Sequence, residues 1–558
     1  MEMNLNTQAD APDGFGDIKT RADFGLPSAA GRSRALLFCI AFFGLWFLSL
    51  SCGSPPTDPR TLIPADALVY LETRDLGAAL REITENKAFT QLAARRPNLG
   101  VLSGVSVAAA VTGFQTREQA VTEDSSILNF QARFVAVAET GMWNFQALRF
   151  TENDIGAFVN NAYGGEVVAD IVDRPDGKFY EWTSPTGQKA YALVAGSVIF
   201  FGNDESAIER CLAVKRGEAD SIAKNTRIGD GERLAFGFVS NEGVAQISNI
   251  LGVLLAMQSS EEGEVKGFVA RVLPEILRNS TKELTWTATK TEKGIEDRFI
   301  ITSQGDLAAI LSETIVPAPR GAGANEYLLP PNAASVTRYN LNDPQIAWRS
   351  ILLSAQHLAG DFNGEIISSF AGSVFEPYGI DNPELFLSSV GPVIHTVKYE
   401  PDDERSIVIA EARDLGKIMR SVNREIDFAQ PPENREGALI RKSTDGETAF
   451  ITTDKTVIIG ESEAAEKFLT WRLRREPAAE SSGIFSEFSS SDAAAVTAAS
   501  DVETAAKIVD LFTERKDTNE SVRLRYVTES RFNRNGIERL TMSDFGLFGS
   551  IITYFSRQ

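Results

Sequence analysis

Histidine and cysteine are nearly missing from this sequence, at two and three in 558 residues. His357 and His395 each lack a Cys, His or carboxylate partner at metal-ligand spacing, so no metal centre is expected. The chain also lacks a GxSxG elbow, a Walker loop and a dinucleotide-binding fingerprint, and no cofactor is expected. A Ser-His-Asp triad has no fixed spacing and stays open. DFG occurs at Asp23 and Asp544 without the glycine-rich loop, lysine and catalytic-loop motifs that would give it meaning. DRPDG, Asp173 to Gly177, lacks the alternating ligands and distal Glu of a calcium loop and reads as a turn. No catalytic, cofactor-binding or metal-binding residue is assigned. An enzyme built on this chain would work with Asp and Glu carboxylates.

Positive charge is in deficit. The net charge is −21, and the first 51 residues account for only one of those negative charges. A surface so acidic repels phosphate backbones and anionic lipid, which argues against nucleic acid as a partner. At 43% hydrophobic and 23% charged residues the composition is that of a globular protein, and the length suits more than one core.

One apolar run interrupts this pattern. It spans Ala35 to Ser51, and no charge follows until Asp58. As a helix its 17 residues reach roughly 25 Å, slightly short of a hydrocarbon core of about 30 Å. Arg32 and Arg34 precede it, so the positive-inside bias puts the N-terminus in the cytoplasm and the rest of the chain across the membrane. Cys39 lies within the run and Cys52 ends it, which leaves Cys211 alone outside without a disulfide partner.

Cys52 admits two readings. Ser49-Leu50-Ser51-Cys52-Gly53 resembles a bacterial lipobox: Ser51 is the small residue before a lipid-modified cysteine, although Ser49 stands where a Leu is usual. Alternatively, Cys52 is the outer end of an uncleaved transmembrane anchor. The 34 residues before the run are long for a signal peptide. A start at Leu26 would restore ordinary proportions. Residues 1–34 are therefore a cytoplasmic or mis-assigned extension, 35–51 a signal-peptide core or anchor, and 52–61 a proline-bearing tether.

Beyond the tether the chain repeats itself. LIPADALVYLETRDL from Leu62 matches LLPPNAASVTRYNLND from Leu328. GKFYEWTSPTGQKAYALVAGSVIFFGNDESAIERCL from Gly177 matches GALIRKSTDGETAFITTDKTVIIGESEAAEKFL from Gly437. GIEDRFI from Gly294 matches GIERLTM from Gly536. The offsets, 266, about 260 and 242, are collinear. Two homologous modules, 62–316 and 328–558, are expected, with a Pro/Gly-rich linker over 317–327.

Within a module, ALVYLE reads as a strand, and Asp75 can cap a helix whose Leu76, Leu80 and Ile83 share a face. The runs KFYEWT, KAYALVA and SVIFFG, with ALIRKS, TAFITT and KTVIIG in the second copy, predict a three-stranded meander around a Gly turn. A helix follows each meander, capped by Asp204 or Ser462 and ending in Lys215 and Arg216, or Arg472, Arg474 and Arg475. These basic clusters complement the helix dipole. Cys211 aligns with Phe468, which marks a packing position rather than a nucleophile. ERLAFGFVS, TKELTWTATKTEKGIEDRFIIT and their second-copy counterparts add further strands and hairpins. ILGVLLAM, Ile250 to Met257, is too short to span a membrane and predicts a buried helix, while the segment from Ala478 reads as a surface loop. The expected fold is α+β: two tandem modules of antiparallel sheet covered by helices, after an N-terminal membrane segment.

The opening IPADALVYLETRDL, the strand-turn-strand and VIFFGNDESAIERCL together resemble the bacterial envelope proteins of domain of unknown function 3352. The resemblance covers most of residues 62–558 and implies an N-terminal export or anchor segment, with no catalytic residues to carry over. The sequence thus points to a protein outside the cytoplasm, attached to the membrane through residues 35–51 or a lipid on Cys52. Its expected role is binding or scaffolding, with an unknown envelope protein or ligand as partner. Carriage of a lipid or other apolar molecule, suggested by ILGVLLAM and FGLFGSIITYF (from Phe545), and a carboxylate-based hydrolase are the alternatives.

Overall fold

Runs rich in β-branched and aromatic residues, punctuated by Gly turns, produce the meanders where the sequence places them. In the computed structural model, GKFYEWT, KAYALVA and VIFFG are strands β5 (Gly177–Thr183), β6 (Lys189–Ala195) and β7 (Val198–Gly202). The second copy supplies β15 (Ala438–Lys442), β16 (Thr448–Thr453) and β17 (Thr456–Glu461). The structure describes residues 56–549, apart from 123–124, 226–230, 259–271, 273, 320–328, 331–332, 361–366, 369–370, 373, 401–404, 423–425, 475–483, 502–503, 517–523 and 548. The apolar run 35–51, Cys52 and most of FGLFGSIITYF lie outside the described residues. Among those described, no helix is long and apolar enough to cross a membrane.

The remaining strands of the first half are β1 (Val69–Thr73), β2 (Ser106–Thr122), β3 (Ser125–Glu139), β4 (Val168–Arg174), β8 (Ala235–Val239), β9 (Thr281–Thr291) and β10 (Gly294–Ser303). Those of the second are β11 (Ser335–Asn340), β12 (Val390–Lys398), β13 (Ser406–Ala412), β14 (Glu433–Arg435), β18 (Ala495–Asp501), β19 (Leu524–Asn533) and β20 (Gly536–Ser543). Every pairing between them is antiparallel. From its outer edge the first half runs β4-β5-β6-β7-β3-β2-β1-β8-β9-β10. The second half runs β14-β15-β16-β17-β13-β12-β11-β18-β19-β20, which is the same order.

The two halves meet edge to edge through β10 and β20, so that among the described residues one sheet of twenty strands runs through both. Arg298 faces Leu540 at the centre of this seam, and the two are the same position of the GIE repeat. The arrangement is a local pseudo-two-fold. Gly294 and Gly536, which open the two seam strands, have φ of +147° and +146°. A Cβ on Gly536 would stand 1.9 Å from the Ile301 carbonyl oxygen, and one on Gly294 would stand 2.4 Å from that of Ser543. Only glycine permits both the backbone angle and the approach. Residues 57–558 form one compact unit.

Helices cross the seam in both directions. The first half gives α1 (Leu76–Thr84), capped by the Asp75 carboxylate on the Ala78 N–H at 2.8 Å, and α2 (Lys87–Leu92). Against them pack the second half's helix Thr504–Phe512 and its final segment, including Phe545. Phe89 lies edge-to-face on Phe512 at 6.0 Å, the Lys516 N–H donates to the Leu92 carbonyl at 2.7 Å, and the Asn86 amide donates to the Asp544 carbonyl at 2.6 Å. In return α3 (Leu307–Thr314), at the end of the first half, packs on α4 (Pro344–Ala359) of the second. Leu311, Ala347, Ala494 and Phe532 share a cluster there. Burying a side chain as large as Phe89 contributes about 1.5–3 kcal/mol, so the exchange couples the halves energetically.

The sheet of the second half is covered on both faces. Val397, Ile407, Ile409 and Ile458 pack with Phe468 and Phe488 on one side, and Ile394, Val408, Ala410 and Ile459 pack with Phe386 and Ile418 on the other. Three local expectations are corrected. The helix after the second meander is capped by Glu461, whose carboxylate accepts from Glu463 and Ala464; Ser462 is its first residue. The expected surface loop from Ala478 carries the helix Phe485–Ser490, whose Phe485 and Phe488 are buried in the core. The tether is shorter than 52–61. The Thr57 N–H bonds the Glu139 carboxylate at 3.1 Å, Asp58 caps a 3₁₀ turn over Pro59–Leu62, and Pro59 and Leu62 are buried.

Candidate functional site

The Asp343-Pro344 pair starts α4, with the Asp343 carboxylate accepting from the Ile346 N–H at 3.0 Å. Apolar residues occupy both long faces of this helix. Pro344, Ala347, Trp348 and Ile351, spaced three and four apart, line a cavity of about 280 Å³ against the sheet. Ile346, Arg349, Ser350, Leu353 and His357 line a groove of about 810 Å³ on the side facing α3. Ile346 and Leu353 are 50% and 64% exposed, which a helix packed on one side only would avoid.

The cavity floor is Ile394 and Thr396 of β12 with Val408 of β13, and its walls include Phe375, Phe386 and Phe532. Trp348 stands edge-to-face on Phe375 at 5.0 Å and fixes the helix side of the wall. Polar groups in the lining are few: the Tyr339 and Tyr378 phenols, both hydrogen-bonded to Thr396. Burial, with the Tyr339 phenol beside it, pushes the Tyr378 phenol up to about 12. The hydroxyls stay protonated and can donate or accept a hydrogen bond, but they hold no charge for chemistry. The Arg349 guanidinium pins α4 from outside by two bonds to Glu384, at 2.7 and 3.1 Å.

The residues singled out by the sequence do not converge on this cavity. Cys211 is buried among Leu193, Phe200 and Ile208, where burial pushes its thiol up to about 12, and Phe468 is buried at the corresponding place in the second half. His395 is buried, and burial together with Arg338 holds its imidazole down to about 3, neutral at physiological pH. His357 lies on the groove beside α4. Arg216 is paired with Glu218 and Asp176. The Cys52 lipidation candidate lies outside the described residues.

A second cavity, of about 540 Å³, lies at the seam and is lined by Asp297, Asp501 and Asp544 among others. Its two well-bonded carboxylates have structural partners. Asp297 accepts from Trp286 Nε1 and from the Leu547 N–H, each at 2.7 Å, and Asp544 accepts from the Arg525 N–H at 3.1 Å. Glu72 is likewise held by the Tyr70 hydroxyl at 2.7 Å and by Arg233. No group of three His, Cys, Asp or Glu able to hold a metal occurs among the described residues.

The apolar cavity was not singled out in the sequence. Its signal is DPQIAWRSILLSAQHL, a capped helix apolar on two faces rather than along one stripe.

Fold and cavity together define an antiparallel α+β protein with an apolar pocket and no assembled reactive constellation among the described residues. No protein-family model matches the chain, and no curated protein matches it. Among solved structures, crystal form IV of TP0453 aligns at 12% identity with a TM-score of 0.22, covering 43% of this chain and 80% of that one. Crystal form III aligns at 13% with a TM-score of 0.23, covering 44% and 80%. A likeness at that level carries no argument about fold or function.

Proposed function

We propose that this chain is a tandem duplication of one antiparallel α+β half, held at the membrane of a bacterial envelope through residues 35–51 or a lipid on Cys52. Its folded part then lies outside the cytoplasm and binds an apolar molecule without transforming it. The observation that carries the reading is the cavity behind α4, about 280 Å³ in volume and lined by apolar side chains with three hydroxyls. Pockets of this character bind by burying apolar surface and use a few polar groups to orient the ligand. The hydrolase alternative finds little support, because Asp297, Asp544 and Glu72 are engaged in structural bonds.

The test is solvent extraction and native mass spectrometry of the full chain taken from membranes. An apolar molecule is expected to copurify, and Ala347→Phe, which fills the cavity from the helix side, is expected to lower its occupancy. A wild-type chain that carries none, and takes up none from a fluorescent fatty-acid probe, would sink the proposal.

A further inference from the structure

Between Thr140 and Leu148 the chain reads TGMWNFQAL, nine residues without a charge in a protein of net charge −21. The tip of this stretch is bare. Trp143 is 65% and Phe145 60% exposed, while Ala147 on the inner side of the helix Asn144–Phe150 is fully buried. The tip is also held in place. The Trp143 N–H donates to Gln146 Oε1 at 3.0 Å, the Met142 N–H to Thr140 Oγ1 at 3.2 Å, and the Thr140 hydroxyl to the Ser197 carbonyl at 2.8 Å.

The point where the chain enters the fold is fastened to the same place. The buried Glu139 carboxylate accepts from the Thr57 N–H on one oxygen and from the Gly141 N–H on the other, at 3.1 and 2.9 Å. Thr57 is five positions beyond Cys52, at most about 18 Å of extended chain. Trp143 is two residues beyond Gly141, about 7 Å. A membrane held at Cys52 is therefore within reach of the tip.

We infer that Trp143 and Phe145 form an interfacial docking surface that rests in the headgroup layer of the membrane to which the chain is attached. The inference rests on the membrane attachment proposed above. Trp has an apolar body and an N–H that suit this layer, and an uncharged tip on an acidic protein selects a zwitterionic rather than an anionic surface. The tether and the tip then fix the protein at two points, which orients it on the bilayer.

The experiment uses the full chain reconstituted in phosphatidylcholine vesicles and subtracts the emission of Trp143→Phe from that of the wild type, isolating Trp143 from the other five tryptophans. Trp143 emission is expected to be quenched by lipids brominated near the headgroup and spared by aqueous iodide, and Phe145→Asp is expected to remove the bromolipid quenching. Quenching by iodide alone overturns the inference, because the tip is then in water. Protection from both quenchers overturns it in favour of a second copy covering the tip. Flotation of the vesicles separates the two failures: a chain that floats without bromolipid quenching retains attachment and loses the docking surface, whereas a chain that does not float loses both.

Discussion

Truncating Phe89 to Ala tests whether the reciprocal packing makes the two halves one cooperative unit. Phe89 is fully buried in the first half and faces Phe512 of the second at 6.0 Å, within a cluster that also holds Ile508, Leu524 and Phe545. A Phe→Ala change at such a site costs about 3–5 kcal/mol, through lost transfer energy and the void left behind. If the seam couples the halves, this loss falls on both. The assay is urea unfolding followed by hydrogen exchange and mass spectrometry, with β5–β7 reporting on the first half and β15–β17 on the second. Both segments are expected to share one midpoint in the wild type and to shift together in the variant. Phe89→Ala with Phe512→Ala should show a coupling of about 0.5–1.5 kcal/mol for the aromatic pair. A second half that keeps its midpoint while the first half loses stability would refute the coupling.

Two further outcomes follow from the seam. Burial raises the Asp297 carboxyl to about 6 against the lowering effect of the Leu547 and Trp286 bonds, so the folded state holds this proton more tightly than the unfolded state. The stability it contributes is complete below about pH 4 and is lost as pH rises through about 6, roughly 3 kcal/mol in all. Asp297→Asn should flatten that part of the stability curve in urea titrations between pH 4 and 7.5, and parallel curves for the two proteins would contradict the assignment. Gly536→Ala should destabilise by at least about 2 kcal/mol through backbone strain and the Ile301 contact, whereas Gly231→Ala, with open space around its Cβ, should stay within about 0.5 kcal/mol. Equal unfolding midpoints for the two variants would remove the seam argument.

The legible parts of the fold were those with local punctuation. The meanders β5–β7 and β15–β17 are runs of β-branched and aromatic residues that turn on Gly187 or Gly446, and Asp75 and Asp204 cap the helices they precede. The β2–β3 hairpin was not legible, because Ser106 to Glu139 is rich in Ala and Gln and the sequence between Thr122 and Ser125 offers no Gly, Asn or Pro to mark a turn. The seam was present in the sequence as the GIE repeat, but a repeat does not say that its copies pair with each other. The cavity was harder still, since its lining comes from residues as far apart as Ile315 and Phe532 and takes shape only when α4 lies on the sheet. Glu139 carries the same lesson. Nothing in ETGMW announces a carboxylate that will clasp Thr57, 82 positions earlier.

The β10–β20 seam has the form of an isologous contact, the kind by which identical subunits make a closed dimer, with Arg298 and Leu540 at the place where a symmetry axis would pass. A covalent chain needs no such symmetry, and here the equivalence has already relaxed: Arg stands opposite Leu, and Asp297 corresponds to Arg539. Each half is thereby free to specialise while the other supplies its missing edge. The asymmetry is visible in what each copy carries: the apolar cavity lies almost wholly in the second half and the bare Trp143 and Phe145 tip in the first.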